Sequence, residues 1–87
     1  AQADQVHNAG EVWSSALWEV RAKLIQRHGY QEGNRRSLQL VTDGMKLSPL
    51  NPTFLQARDA IIAAATASGS TADIADIWAG FAIRGMG

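Results

Sequence analysis

The sequence predicts an all-α fold, on three observations. Four segments repeat their apolar residues at three- and four-residue steps, none alternates with the period of two that marks a strand, and Gly, Pro or short polar capping residues punctuate the pattern. In the first segment Val12, Trp13, Ala16, Leu17, Val20 and Leu24 recur on one side, and Gly29 follows His28 as a stop, so a helix is expected over 10–28. The second spans about 34–47, with Leu38, Val41, Met45 and Leu40 as its apolar side. Gly44 either weakens that helix by about 1 kcal/mol relative to Ala or ends it. Asn51 and Pro52 read as a start signal for a third helix over 52–67, because Asn can cap free N–H groups and Pro fits the first turn. Its inner stripe is Phe54, Ala57, Ile61, Ala64 and Ala65. Ser70-Thr71-Ala72-Asp73 resembles a capping box for a fourth helix that carries Ile74, Ile77, Trp78 and Phe81, with Gly80 a weak point inside it. Connections of about three to six residues then make the helices antiparallel neighbours in a compact four-helix array.

Composition narrows the function classes. The 87 residues make one small domain, 1–87. Eight basic and eight acidic residues cancel, which argues against a nucleic-acid partner and against a polybasic membrane anchor. With no cysteine, thiolate metal sites, disulfides and cysteine nucleophiles are excluded together. The longest apolar run, 60–65, falls far below the roughly 20 residues that span a bilayer, and the N-terminal AQADQVHNAG lacks a basic region followed by a hydrophobic one. Neither a membrane span nor a signal peptide is expected. The chain opens on a polar segment rather than Met, so a piece of a longer protein is expected.

The catalytic inventory is thin. H-E-x-x-H, G-x-S-x-G and the Gly-rich phosphate loops are absent, and the chain is not expected to act as an autonomous enzyme. His7 and Asp4 form a suggestive pair, since a carboxylate can hold one imidazole nitrogen and leave the other facing a reacting oxygen. Spacing alone favours the plainer reading, in which both belong to a loose N-terminal arm. His28 is accounted for by the preference of a helix end for positive charge, and Glu11 by the opposite preference of a first turn. Trp13 is expected in the core and Trp18 outside it. Arg35 and Arg36 read as a solvated loop or helix start, and Arg58, Asp59 and Arg84 as surface or inter-helix contacts.

Three blocks, VHNAGEVWSSALWEVRAKLIQRHG, LQLVTDGMKLSPLNPTFLQARDAIIAA and IWAGFAIRGMG, resemble the C-terminal part of the fungalysin family of secreted, thermolysin-like zinc metallopeptidases. The most specific run, LVTDGMKLSPLNPTFLQARDAI, holds the D-G-M, N-P and Q-A-R-D-A-I elements in family order. The resemblance implies a helical lobe of a peptide-hydrolysing enzyme whose zinc-binding N-terminal lobe belongs to the same polypeptide. It implies zinc in that parent but none bound by this chain alone, a peptide or protein substrate, and secretion. The V-H before G-E-V-W implies that His7 donates to the oxygen of the tetrahedral intermediate, and D-x-V-H makes Asp4 its orienting carboxylate. Gly10 to Ser14 also resembles the G-E-x-W-S segment that holds the family's zinc-ligand Glu. That segment continues with Asp where Ser15 stands, which leaves Glu11 as a helix-start residue. Fungal members of the family carry cysteines where this chain has Leu50 and Ala75, so the resemblance implies a bacterial-type member without that disulfide. The alternative to a protease lobe is a stand-alone helical interaction module with an exposed face made of Trp18, Leu17 and residues 63–67.

Overall fold

The computed structural model describes the backbone of residues 2–85 and the side chains of residues 10–85. Four helices follow one another: α1 Gln2–His28, α2 Tyr30–Leu47, α3 Phe54–Ser68 and α4 Thr71–Ile83. Among the described residues there is no strand. The 27 residues of α1 amount to about 40 Å at 1.5 Å per residue, which sets the 41 Å long axis of the molecule. The helix α1 packs against α2 on one side and α4 on the other, and α3 joins α2 to α4.

The helix α1 begins eight residues before the expected start. Its first turns are polar, so no apolar stripe announces them, but they contain no Pro and the ladder runs through Gly10. Ala16, Val20 and Leu24, at steps of four, form the buried stripe, flanked by half-buried Trp13 and Leu17, while Val12 faces outward. Gly29 then takes a φ of 85° that an L side chain rarely adopts, and its N–H closes on the Ile25 carbonyl at 2.8 Å. Residue 30 already begins α2, so the loop expected before residue 34 is a single glycine.

The apolar side of α2 departs most from expectation. Gly33, Ser37, Leu40 and Gly44 are buried, whereas Leu38 and Met45 are exposed. The reason is closeness of approach. A Cβ on Gly33 would stand 2.5 Å from the Ile25 Cα, and one on Gly44 would stand 2.7 Å from Ile61 Cγ1. The helix reaches α1 and α3 closely by turning Gly33 and Gly44 inward beside Leu40, and Leu38 and Met45 are left outside. Gly44 therefore lies within the helix, which continues to Leu47.

Thr53, not Asn51, caps α3. Its hydroxyl accepts from the Gln56 N–H at 3.1 Å, and Gln56 Oε1 accepts from the Thr53 N–H at 2.9 Å, a reciprocal box. Asn51 instead supplies a left-handed turn at φ 54°. In α3 the buried residues are Ala60, Ile61, Ala64 and Ala65. Phe54 lies near the surface, where its ring stacks on Trp13 at 6.0 Å, and Trp13 stacks in turn on the fully buried Phe81 at 5.8 Å. Ser70 caps α4 as expected, accepting from the Asp73 N–H at 3.3 Å. Gly80 is no weak point, because a Cβ there would stand 2.8 Å from the Val20 backbone nitrogen. It is what lets α4 lie against α1.

Candidate functional site

Three places in the fold collect functional chemistry: a buried ion cluster where α1, α2 and α4 meet, an aromatic and cationic surface between α1 and α2, and an apolar groove at the α2–α3 corner. Asp4 and His7, the pair singled out in the sequence, belong to the first turns of α1, and their side chains lie outside the described residues.

The ion cluster centres on Asp73, which is 4% exposed. Its Oδ1 lies 2.5 Å from His28 Nε2 at the end of α1, and its Oδ2 accepts from Arg36 Nη1 of α2 at 2.7 Å. Arg36 also lies beside Glu32, with its buried Nε 3.6 Å from Oε2 and without a hydrogen-bond partner. Glu32 in turn is clasped by Arg35. Burial by itself pushes the Asp73 carboxyl up. The hydrogen bonds and charges of His28 and Arg36 outweigh it and hold the carboxyl below the usual carboxylate range. Both carboxylate oxygens are engaged by side chains of other helices, so the arrangement ties three helices together.

The structure departs from the sequence pattern at His28, at Arg35 and Arg36, and at Glu11. His28 does more than answer a helix dipole, since it meets the one buried carboxylate among the described residues. Arg35 and Arg36 stand inside α2, and Arg36 is an inter-helix ligand of that carboxylate instead of a solvated loop residue. The sequence presents Asp73 only as the last member of a capping box. Its contact with His28 spans 45 positions in sequence, which no local pattern displays. Glu11, read as a first-turn residue, lies well inside α1.

On the α1–α2 surface the Arg21 guanidinium lies 4.7 Å from the Trp18 ring centroid and 5.6 Å from that of Tyr30, while its Nε donates to Asn34 at 2.9 Å. Trp18 is exposed, as expected. Of the wider face predicted beside it, residues 63, 66 and 67 are exposed, whereas Ala64 and Ala65 are packed in the core and Leu17 is half-buried against it. Arg58 pairs with Asp59 at 2.7 Å and covers the Trp78 ring at 5.0 Å. Arg84 reaches Glu19 of α1 at 3.3 Å. These are the expected surface and inter-helix contacts.

The groove at the α2–α3 corner has a volume of about 440 Å³ and is bordered by Trp13, Val41, Met45, Leu50, Ala57 and Ile61 among others, with no charged side chain in its lining. The other two places are concave as well, with a cavity of about 350 Å³ beside Trp18, Arg21 and Asn34 and one of about 240 Å³ beside Arg36 and Asp73. Among the described residues no three His, Cys, Asp or Glu side chains stand close enough to hold a metal ion, so those residues do not fit a zinc centre. Nor is any helix among them long and apolar enough to cross a membrane.

These features define an α-helical unit braced by a buried ion cluster and open along one apolar groove. The sequence model described as "Fungalysin metallopeptidase (M36)" matches residues 1–87, and the chain belongs to that metallopeptidase family. It is 42% identical, over 96 aligned residues, to the extracellular metalloproteinase mep of Aspergillus terreus, the match covering 95% of the chain and 15% of that protein. It is 43% identical to extracellular metalloproteinase 3 of Arthroderma gypseum with the same coverage. With an extracellular metalloproteinase of Pyrenophora tritici-repentis it shares 40% identity, covering 99% of the chain and 15% of that protein. The chain thus spans about 15% of the length of these curated relatives. No solved structure matches it.

Proposed function

We propose that the chain is the C-terminal helical lobe of a secreted zinc metalloendopeptidase and that it supplies the group that stabilises the transition state of peptide hydrolysis. The observation that carries this reading is the family match across all 87 residues combined with the D-x-V-H-N-A-G-E-V-W motif from Asp4 to Trp13. Zinc, when bound in the parent enzyme, supplies a Lewis acid and an activated water. Its ligands belong to another part of the polypeptide. In this chain His7 donates a hydrogen bond to the substrate carbonyl oxygen as negative charge develops there, and Asp4 holds the imidazole in the orientation and tautomer that the donation needs. The long α1, braced at its far end by Asp73, is the rigid mount for that donor. Secretion fits the names of the relatives, which are extracellular enzymes.

The test is His7→Ala in the full-length parent. Loss of one oxyanion donor lowers kcat by about 10²–10³, or roughly 2.7–4 kcal/mol, with KM and zinc content little changed. Asp4→Asn is expected to give a smaller loss of the same kind. An unchanged kcat would remove His7 from the mechanism, and loss of the metal would make it a ligand. The 87-residue chain by itself is expected to take up no stoichiometric zinc and to digest no casein; a one-to-one zinc signal by atomic absorption refutes that.

A further inference from the structure

One cation on the α1–α2 surface is left unanswered by the fold. Arg27, Arg35, Arg36, Arg58 and Arg84 each pair with a carboxylate. Among the described residues Arg21 is the one arginine that does not. It is nevertheless held firmly: the Trp18 and Tyr30 rings lie beside its guanidinium, and its Nε donates to Asn34 Oδ1 at 2.9 Å. Its two terminal nitrogens keep their donors, a pair able to grip a carboxylate bidentately. A guanidinium fixed in this way loses little freedom when an anion arrives, which is the property of a preorganised site.

Arg21 also lines a cavity of about 350 Å³, within the range of about 300–1,000 Å³ typical of small-ligand sites. Leu17 and Trp18 of α1 and Leu38 and Val41 of α2 give it hydrocarbon walls, and Trp18 and Leu38, 62% and 61% exposed, leave its mouth apolar. The cation selects an anion. The walls select an apolar side chain, since a sugar ring would leave its hydroxyls unpaired against them. Spacing narrows the choice further. Neighbouring side chains of an extended peptide point to opposite faces, so an acidic residue and the apolar residue beside it cannot enter together. A C-terminal apolar residue carries its carboxylate on its own Cα and meets both demands at once.

We propose that this cavity captures the C-terminal end of a peptide, with the last side chain, an apolar one, against Leu17, Leu38 and Val41 and the terminal carboxylate on Arg21. The occupant's identity rests on the reading of the chain as part of a peptide-hydrolysing enzyme. Each turnover of such an enzyme adds water across an amide bond and leaves a new C-terminal carboxylate on one fragment and an amine on the other.

Isothermal titration calorimetry on the full-length parent, with its zinc cleft filled by a hydroxamate inhibitor, tests this with four probes: acetyl-alanyl-phenylalanine, its C-terminal amide, acetyl-alanyl-alanine, and acetyl-aspartyl-phenylalanine amide. The first is expected to bind one-to-one, about tenfold or more tighter than its amide and several-fold tighter than the other two. Arg21→Gln is expected to reduce its binding to the level of the amide. Circular dichroism shows whether that variant folds, and the comparison of acid with amide on the unsubstituted enzyme decides the question without it. Four results overturn the proposal: equal binding of acid and amide, no binding of either, undiminished binding by folded Arg21→Gln, or binding of either remaining probe as tight as that of the first. No turnover is read, so the outcome is separable from the proposed catalytic role. Carboxylate-dependent binding with an unaffected His7→Ala enzyme leaves this site assigned and the donor role refuted, and the reverse pattern refutes this site alone.

Discussion

Replacing Gly80 by Ala sets two physical effects against each other, and the structure decides the sign. Within α4, helix propensity favours Ala over Gly by about 0.8–1 kcal/mol, so a reading from sequence predicts a gain. The added Cβ would stand 2.8 Å from the Val20 nitrogen and 2.9 Å from both its Cα and Cγ2. Ordinary carbon contacts lie near 3.5–4.0 Å, so α1 and α4 must separate by roughly 0.6–1 Å. Two of the three obstructing atoms are backbone, which no rotamer change moves. Overpacking of this kind costs about 1–3 kcal/mol, and separating α4 also loosens Phe81 and Ile77, both fully buried. The expected balance is a loss of about 1–2 kcal/mol, or roughly 4–15 °C in Tm for a domain of this size. Thermal melts followed by circular dichroism measure it. Gly10 is the control, since a Cβ there meets nothing within 4 Å. Gly10→Ala is expected to raise Tm by a few degrees through propensity alone. If Gly80→Ala melts at or above the unsubstituted chain, the close packing of α1 on α4 is wrong.

The ion cluster predicts a pH dependence. Because the folded state holds the Asp73 carboxyl below its ordinary value, its contribution to stability is complete above about pH 4, the unfolded carboxylate pKa, and is lost as pH falls through the lower folded value. Asp73→Asn is therefore expected to lose about 1.5–3 kcal/mol at pH 7, with the gap from the unsubstituted chain narrowing below pH 4 in urea titrations; a gap independent of pH would mean that the charge does not contribute. Thr53→Ala removes the hydroxyl half of the α3 capping box and is expected to cost about 1 kcal/mol, read by the same titrations. No loss would mean that another group caps α3.

Much of the fold was legible along the chain. Helix class, helix number and the stop at Gly29 follow from period and punctuation, because a 3.6-residue repeat of Ala16, Val20 and Leu24 specifies a helix whatever it packs against. Family membership was equally legible, since the D-G-M, N-P and Q-A-R-D-A-I elements are local strings. The polar first turns of α1 were missed because helix there has no apolar face to betray it. The cap of α3 was misplaced by two residues because Asn51 and Thr53 are both competent caps, and only the backbone conformation separates them.

Which face of α2 turns inward was a tertiary decision. Hydrophobicity chose Leu38, Val41, Met45 and Leu40, but of these only Leu40 is buried, beside Gly33, Ser37 and Gly44, while Val41 and Met45 became part of the wall of a groove. The buried charge was decided in the same way. Asp73, His28 and Arg36 are scattered over 45 positions of sequence, and a carboxylate can be buried only where folding brings its cations to it. Sequence alone determined which helices form and what family they belong to, since those depend on local strings and periods. The tertiary structure decided what each helix shows to its neighbours, because that depends on distances between backbones remote along the chain.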